Sequence, residues 1–249
     1  MRAIDYLQAE YYKLHLRGLL LVVLIFSILP FAITQLFILY KSEALISARI
    51  SADLIRENAL GAWTTFLFPL LCMLITQAIA GYEHETNSLN YYKSSAINWA
   101  LFFTAKVIVA YAFVFLAGGL TIVFELLNNA TFRLIIGGPA DSLSLTIRLL
   151  QIYGSATLYC LPLIAFHLFL SLTTTKAYIS FAIGLVILIV GIPIVNLTNF
   201  TYNPYLLLVA SRKIGILNTE LITYSGSLIL VVILAFWWLQ KRSILHFYN

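Results

Sequence analysis

Six apolar stretches of about twenty residues each recur along this chain, which is the length an α-helix needs to cross the roughly 30 Å hydrocarbon core of a bilayer. They cover residues 18–40, 61–80, 99–127, 147–172, 177–195 and 219–239. Inside hydrocarbon every backbone amide must find a partner within the protein, and a run of this length does so as a helix. The expected fold is therefore all-α: a polytopic membrane protein with six transmembrane helices in one domain over residues 1–249. Composition agrees, because 61% of the residues are hydrophobic and only 10% are charged, where a soluble domain carries about a quarter charged residues.

The same composition excludes several function classes. The 15 Lys and Arg are spread through the connections and form neither a long run nor a basic helix face, so nucleic acid is not an expected partner. Cys72 and Cys160 both lie inside apolar runs, with no Cys or His at ligand spacing, and read as packing thiols rather than a disulfide or zinc site. The first apolar run is long enough to span and lacks a small-residue cleavage site after it, so it is expected to stay as a membrane helix. No Gly-rich run ends in Gly-Lys followed by Ser or Thr, and the chain is not expected to bind ATP itself. Glu83, His84 and Glu85 resemble metal ligands in type, but helical neighbours point about 100° apart and cannot converge on one ion. Paired intramembrane carboxylates and a Ser, His, Asp set are missing from the spans, so no enzyme is expected.

Residues 2–17 place Ile4, Leu7, Tyr11 and Leu14 on one helical face and Glu10, Lys13 and Arg17 on the other, as in an amphipathic helix lying in the bilayer interface. Pro30 falls in the middle of the first span and removes one backbone donor there. Lys106 sits in the second turn of the third span and Glu125 near its far end. Long side chains so placed can extend to the headgroups, and both are expected to do so. Gly137, Gly138 and Pro139 break the chain between the third and fourth spans. His167 is an ionisable residue inside the fourth span and thus a candidate for the substrate pathway, with helix packing as the plainer role. Residues 196–218 are half apolar, divided by Asn203, Pro204 and Tyr205, and are expected to pack on the spans or dip into the membrane. Six spans put both termini on one side. Lys and Arg divide almost evenly between the two faces, so the positive-inside rule speaks only weakly.

The densest polar run, Gly81 to Lys106, joins the second and third spans. It carries Glu83, His84, Glu85, Thr86, Asn87 and Ser88, then Tyr91, then Lys106 inside the next span. A short polar helix fused to two spans converts movement at one membrane face into tilt of both. The acids directly after the second span, the small polar turn and the lysine about twenty residues on, with Glu10 and Lys13 in an amphipathic start, resemble the permease subunits of ABC exporters of the second exporter type. The proline that often precedes the third span in that family is absent. The resemblance implies that residues 83–98 form a cytosolic coupling segment seated on an ATP-binding subunit. Glu83 through Ser88 and Tyr91 would then be contact residues, and Thr174 and Lys176 in the short 173–176 connection would form a second contact. It further implies an outer gate in residues 196–218, both termini in the cytosol of a bacterial cytoplasmic membrane, two ATPase subunits holding ATP and Mg, and a second permease, either itself or a similar chain. Short-loop permeases of this size are similar to those that expel peptide antibiotics such as lantibiotics. A drug or a lipid-linked glycan is an alternative cargo, and an ATP-independent channel or secondary carrier is an alternative class.

Overall fold

In the computed structural model the described residues are 3–14, 16–47, 60–86, 88, 98–136, 142–174, 176–197, 207 and 222–235. Every regular element among them is helical. These are α1 (Ala3–Lys13), α2 (Leu16–Ser47), α3 (Phe68–Glu85), α4 (Trp99–Ile136), α5 (Ser142–Thr173), α6 (Ala177–Leu197) and α7 (Ile222–Ala235). A π-helical turn, Trp63–Leu67, leads into α3. Among the described residues, four stretches are long and apolar enough to cross a membrane: Leu16–Leu36, Leu60–Glu85, Trp99–Thr131 and Leu149–Thr173. Tyr178–Pro193 and Ile222–Ala235 are apolar but shorter.

The helices alternate in direction. Ser27 on α2 donates to the Ala117 carbonyl on α4 at 3.1 Å, and further along both helices Gln35 donates to Asn128 at 2.7 Å, so α2 and α4 run parallel. α3 opposes them, since Glu83 at its end meets Lys13 while Trp63 at its start meets Phe26. α5 follows the direction of α3, with Tyr153 against Trp63 at a ring separation of 4.9 Å and Ser171 against His84. α6 reverses again, pairing Ser180 with Ser171 at 2.8 Å. The starts of α2, α4 and α6 and the ends of α3 and α5 thus gather at one end of the bundle.

α3 and α5 form the interior, with 56% and 61% of their spans buried against 28% for those of α2 and α4. The outward sides of α2 and α4 present Leu20, Leu21, Leu24, Phe115, Leu116 and Val123, a surface compatible with a membrane protein.

Two prolines explain two local features. Pro30 has no N–H, so the Phe26 carbonyl four residues earlier loses its helical donor. The indole Nε1 of Trp63 donates to that oxygen at 3.3 Å. Pro69 likewise cannot bond back along the start of α3, and the turn before it loosens to π geometry, with the Phe68 N–H reaching the Trp63 carbonyl. Elsewhere the buried hydroxyls of Thr64, Thr76, Thr121 and Thr157 return to carbonyls four residues back in their own helices, which satisfies them without a partner helix. Cys72 and Cys160 are buried, unbridged thiols, as expected from their apolar context.

Gly118 packs α4 tightly against α5, because a Cβ added there would lie 3.2 Å from the Thr157 methyl, whereas one at Gly119 would meet nothing within 4 Å. Gly118→Leu is expected to wedge the two helices apart and cost about 1–3 kcal/mol, read as a lowered thermal midpoint in detergent. Gly119→Leu, one residue away on the outer side, should leave the midpoint in place.

The structure extends and corrects the sequence reading in several places. α2 continues beyond residue 40 to Ser47 and α4 beyond residue 127 to Ile136, since no breaker intervenes before Gly137 in the latter case. On α1 and just beyond it, Ile4, Tyr11 and Tyr12 are exposed, Leu7 and Leu14 pack against the core, and Tyr6 and Glu10 are buried. Glu10, expected on the water side, is drawn inward by Lys13 and Lys106. Lys106 and Glu125 do not extend toward headgroups, for both are fully buried. Leu207 is also fully buried, and the rest of 198–218 lies outside the described residues.

Candidate functional site

α4 begins at Asn98, whose side-chain oxygen accepts from the N–H groups of Ala100 and Leu101 at 3.1 and 3.2 Å, an N-cap that fixes where the helix starts. The Asn98 N–H in turn donates to the Tyr6 hydroxyl at 3.1 Å, which docks α1 across the start of α4. This places Glu10 and Lys13 of α1, Glu83 of α3 and Lys106 of α4 around one point.

They form a closed ring of alternating charge. The Lys106 ammonium lies 2.5 Å from Glu10 and 2.7 Å from Glu83, and the Lys13 ammonium lies 2.9 Å from Glu10 and 3.0 Å from Glu83. Ser88 donates to the other oxygen of Glu83. The Phe102 ring supports both cations, with its centroid 4.7 Å from Lys106 and 5.7 Å from Lys13, an arrangement that attracts ammonium groups to the ring's electron-rich face. Side-chain exposure is 1% or less at Lys106 and Glu83 and 3% at Glu10, but 19% at Lys13. Two acids and two amines cancel, so the ring carries no net charge into the interior. Such a cluster is stable only while complete, because losing one member strands an unpaired charge away from water.

Beside the ring the ends of α3 and α5 are joined. His84 Nε2 bonds the Ser171 carbonyl at 2.6 Å, and Ser171 bonds Ser180 across the α5–α6 connection. Glu85, Thr86 and Lys176 are exposed, and His84, Ser88 and Thr174 are half-buried. Lys176 stacks over Tyr178 at 5.7 Å.

The opposite end holds a second polar network. Glu125, fully buried, accepts from Asn128 at 3.3 Å, and Gln35 donates to Asn128 and to Thr131. Tyr153 is buried on the neighbouring α5. Nineteen positions separate Lys106 from Glu125 along α4, about 28 Å at helical rise, close to the thickness of a bilayer's hydrocarbon core.

The candidate residues therefore divide. Glu83 was expected to meet a partner subunit, yet its carboxylate faces inward and is held by Lys13, Lys106 and Ser88. His84, Glu85, Thr86, Ser88, Thr174 and Lys176 do gather at one end of the bundle. Asn87, Tyr91, Asn203, Pro204 and Tyr205 lie outside the described residues. His167 is fully buried in α5, and among the described residues no three His, Cys, Asp or Glu side chains are grouped to hold a metal. The ring itself was missed by sequence reasoning. Its signal was present in Glu83 at the exit of one span and Lys106 just inside the next, opposite charges that membrane burial would force together.

Comparison with known protein families, with characterised proteins and with solved structures finds no match to this chain.

Proposed function

We propose that this chain is the membrane-spanning permease subunit of an ATP-driven exporter of the ABC class. In this reading it crosses a bacterial cytoplasmic membrane six times with both termini in the cytosol. Two such permeases flank the pathway, ATP and Mg are held by two partner subunits, and the cargo is a hydrophobic or amphipathic molecule, with a peptide antibiotic favoured by the family resemblance.

The observation that supports this most is the convergence of two exposed chain ends. The tip of α3 at Glu85 and Thr86 and the connection at Thr174 and Lys176 lie at the same end of the bundle, tied through His84 and Ser171. A partner bound there would push on both at once. The buried ring would carry that push to α1 and α4, because its salt bridges lock three helices into one body. α1, with Ile4, Tyr11 and Tyr12 exposed, would lie along the inner leaflet.

The test is co-purification with a nucleotide-binding subunit encoded beside this chain's gene. Since Glu83 is structural, the interface variant is Glu85→Lys combined with Thr86→Arg, two exposed positions. The wild-type chain should retain the ATPase and stimulate it. The double variant should lose most of that stimulation while keeping an unchanged thermal midpoint. A chain that purifies without any such subunit in several mild detergents sinks the reading.

One observation favours a second reading, an ion-coupled carrier without ATP: the buried Glu125 network with Asn128, Gln35 and Thr131. Intramembrane carboxylates commonly mark ion or proton paths. Uptake or efflux in proteoliposomes driven by a proton gradient alone, and abolished in Glu125→Gln, would select it.

A further inference from the structure

A groove of about 910 Å³ opens at the same end as the ion ring, between α2, α3 and the start of α6. Lys13, His84, Glu85 and Lys176 lie at its rim, and Leu19, Val22 and Leu74 line it further in. The depth follows from the direction of α3: Leu74 is eleven positions before Glu85 on that helix, about 16 Å at helical rise. That is half of a roughly 30 Å hydrocarbon core, the depth of one leaflet. A soluble ligand does not need a slot of that shape. An acyl chain does.

The rim selects a charge. The ring as a whole is neutral, but its carboxylates are turned inward and Lys13 is its most exposed member, so the groove meets an ammonium. Lys176 adds a second ammonium, so two cations face the single exposed carboxylate of the rim, Glu85, and the α6 N-terminus beside Lys176 contributes further positive partial charge. Gln77, whose side-chain oxygen has no hydrogen-bond partner among the described residues, lines the groove below the rim.

We propose that this groove is a binding site for one anionic phospholipid of the surrounding bilayer, with its phosphate between Lys13 and Lys176 and an acyl chain along Leu19, Val22 and Leu74. The site depends only on this end of the bundle facing a leaflet, and stands whether or not an ATPase binds there. An occupied groove fills the space between α2, α3 and α6 and engages Lys176, which the proposed function also places in the ATPase contact, so lipid composition would tune how firmly these helices are held.

The test uses the whole chain purified from a membrane containing phosphatidylglycerol and phosphatidylethanolamine, with retained lipid identified and counted by mass spectrometry. Gly81→Leu projects a side chain into the groove from a wall position where a Cβ meets nothing within 4 Å, and Lys176→Gln removes the exposed cation. About one phosphatidylglycerol per chain is expected after washing, several-fold enriched over its share of the membrane. Gly81→Leu should reduce retention of every lipid to background, and Lys176→Gln should remove the preference for the anionic one. Equal retention of both lipids by the wild type, retention unchanged in Gly81→Leu, or an amphipathic peptide in place of lipid would each overturn the proposal. Thermal midpoints of both variants in neutral-lipid nanodiscs separate loss of the site from loss of the fold.

Discussion

Lys106→Gln is expected to be the most damaging single substitution in this protein, lowering stability by about 3–5 kcal/mol. The Lys106 ammonium is shared by Glu10 and Glu83 at 2.5 and 2.7 Å, and both carboxylates are buried. Without it one cation, Lys13, faces two acids, and the surplus negative charge has no water to face. The expected result is poor accumulation in the membrane and an early-eluting, aggregated species in detergent. Cost here is not the same as contribution, because the intact ring has already given up the hydration of four charged groups. Two further variants separate these. Glu83→Lys with Lys106→Glu keeps the charges and should recover part of the loss. Lys106→Met with Glu83→Gln removes one charge of each sign and should be far milder than Lys106→Gln alone. If Lys106→Gln unfolds at the wild-type temperature, the ring is not the tie between α1, α3 and α4 that its geometry implies.

Trp63 carries the second large effect, and two variants divide its causes. Trp63→Ala empties a fully buried aromatic position just before α3, against Phe68 and Tyr153 at ring separations of 4.6 and 4.9 Å. A loss of about 3–5 kcal/mol is expected from the cavity. Trp63→Phe keeps most of the ring and removes only the indole donor. It leaves the Phe26 carbonyl, already deprived of its helical donor by Pro30, without its 3.3 Å bond from the indole, and about 1–3 kcal/mol is expected for that acceptor. Replacing Pro30 with Ala restores a backbone donor at residue 30, so in the Pro30→Ala background Trp63→Phe should cost much less. Equal costs in both backgrounds would mean that the indole acts by packing alone. Thermal unfolding of the four proteins in one detergent decides it.

Much of the fold was legible before any tertiary contact was known. Runs of Leu, Ile, Phe and Val between polar connections specify helices wherever water is absent, and the observed helices fall on those runs. Their ends were less legible: α2 and α4 run on past the apolar segments into Lys41 and Asn128 because nothing in the local sequence stops a helix there. On α1 it is Glu10 that periodicity misplaces. Periodicity ranks residues by hydropathy, and by that measure Glu10 belongs on the water side. The ranking changes once Lys106 lies opposite Glu10, since a paired charge is less costly to bury than an unpaired one is to leave in hydrocarbon.

The candidate contact residues divided for the same reason. Glu83 and Glu85 are two positions apart on one helix and alike in chemistry, so sequence could not tell a ring member from a surface residue. The helical turn of about 200° between them did. By itself the sequence determined that this chain is helical and apolar enough for a membrane, because both properties follow from local composition and backbone pairing. Only the tertiary structure decided which charges are buried together, which carbonyl Trp63 serves and where a lipid-deep groove opens. Those depend on residues as far apart as Glu10 and Lys106, and long-range pairings are set by packing geometry rather than by any local pattern.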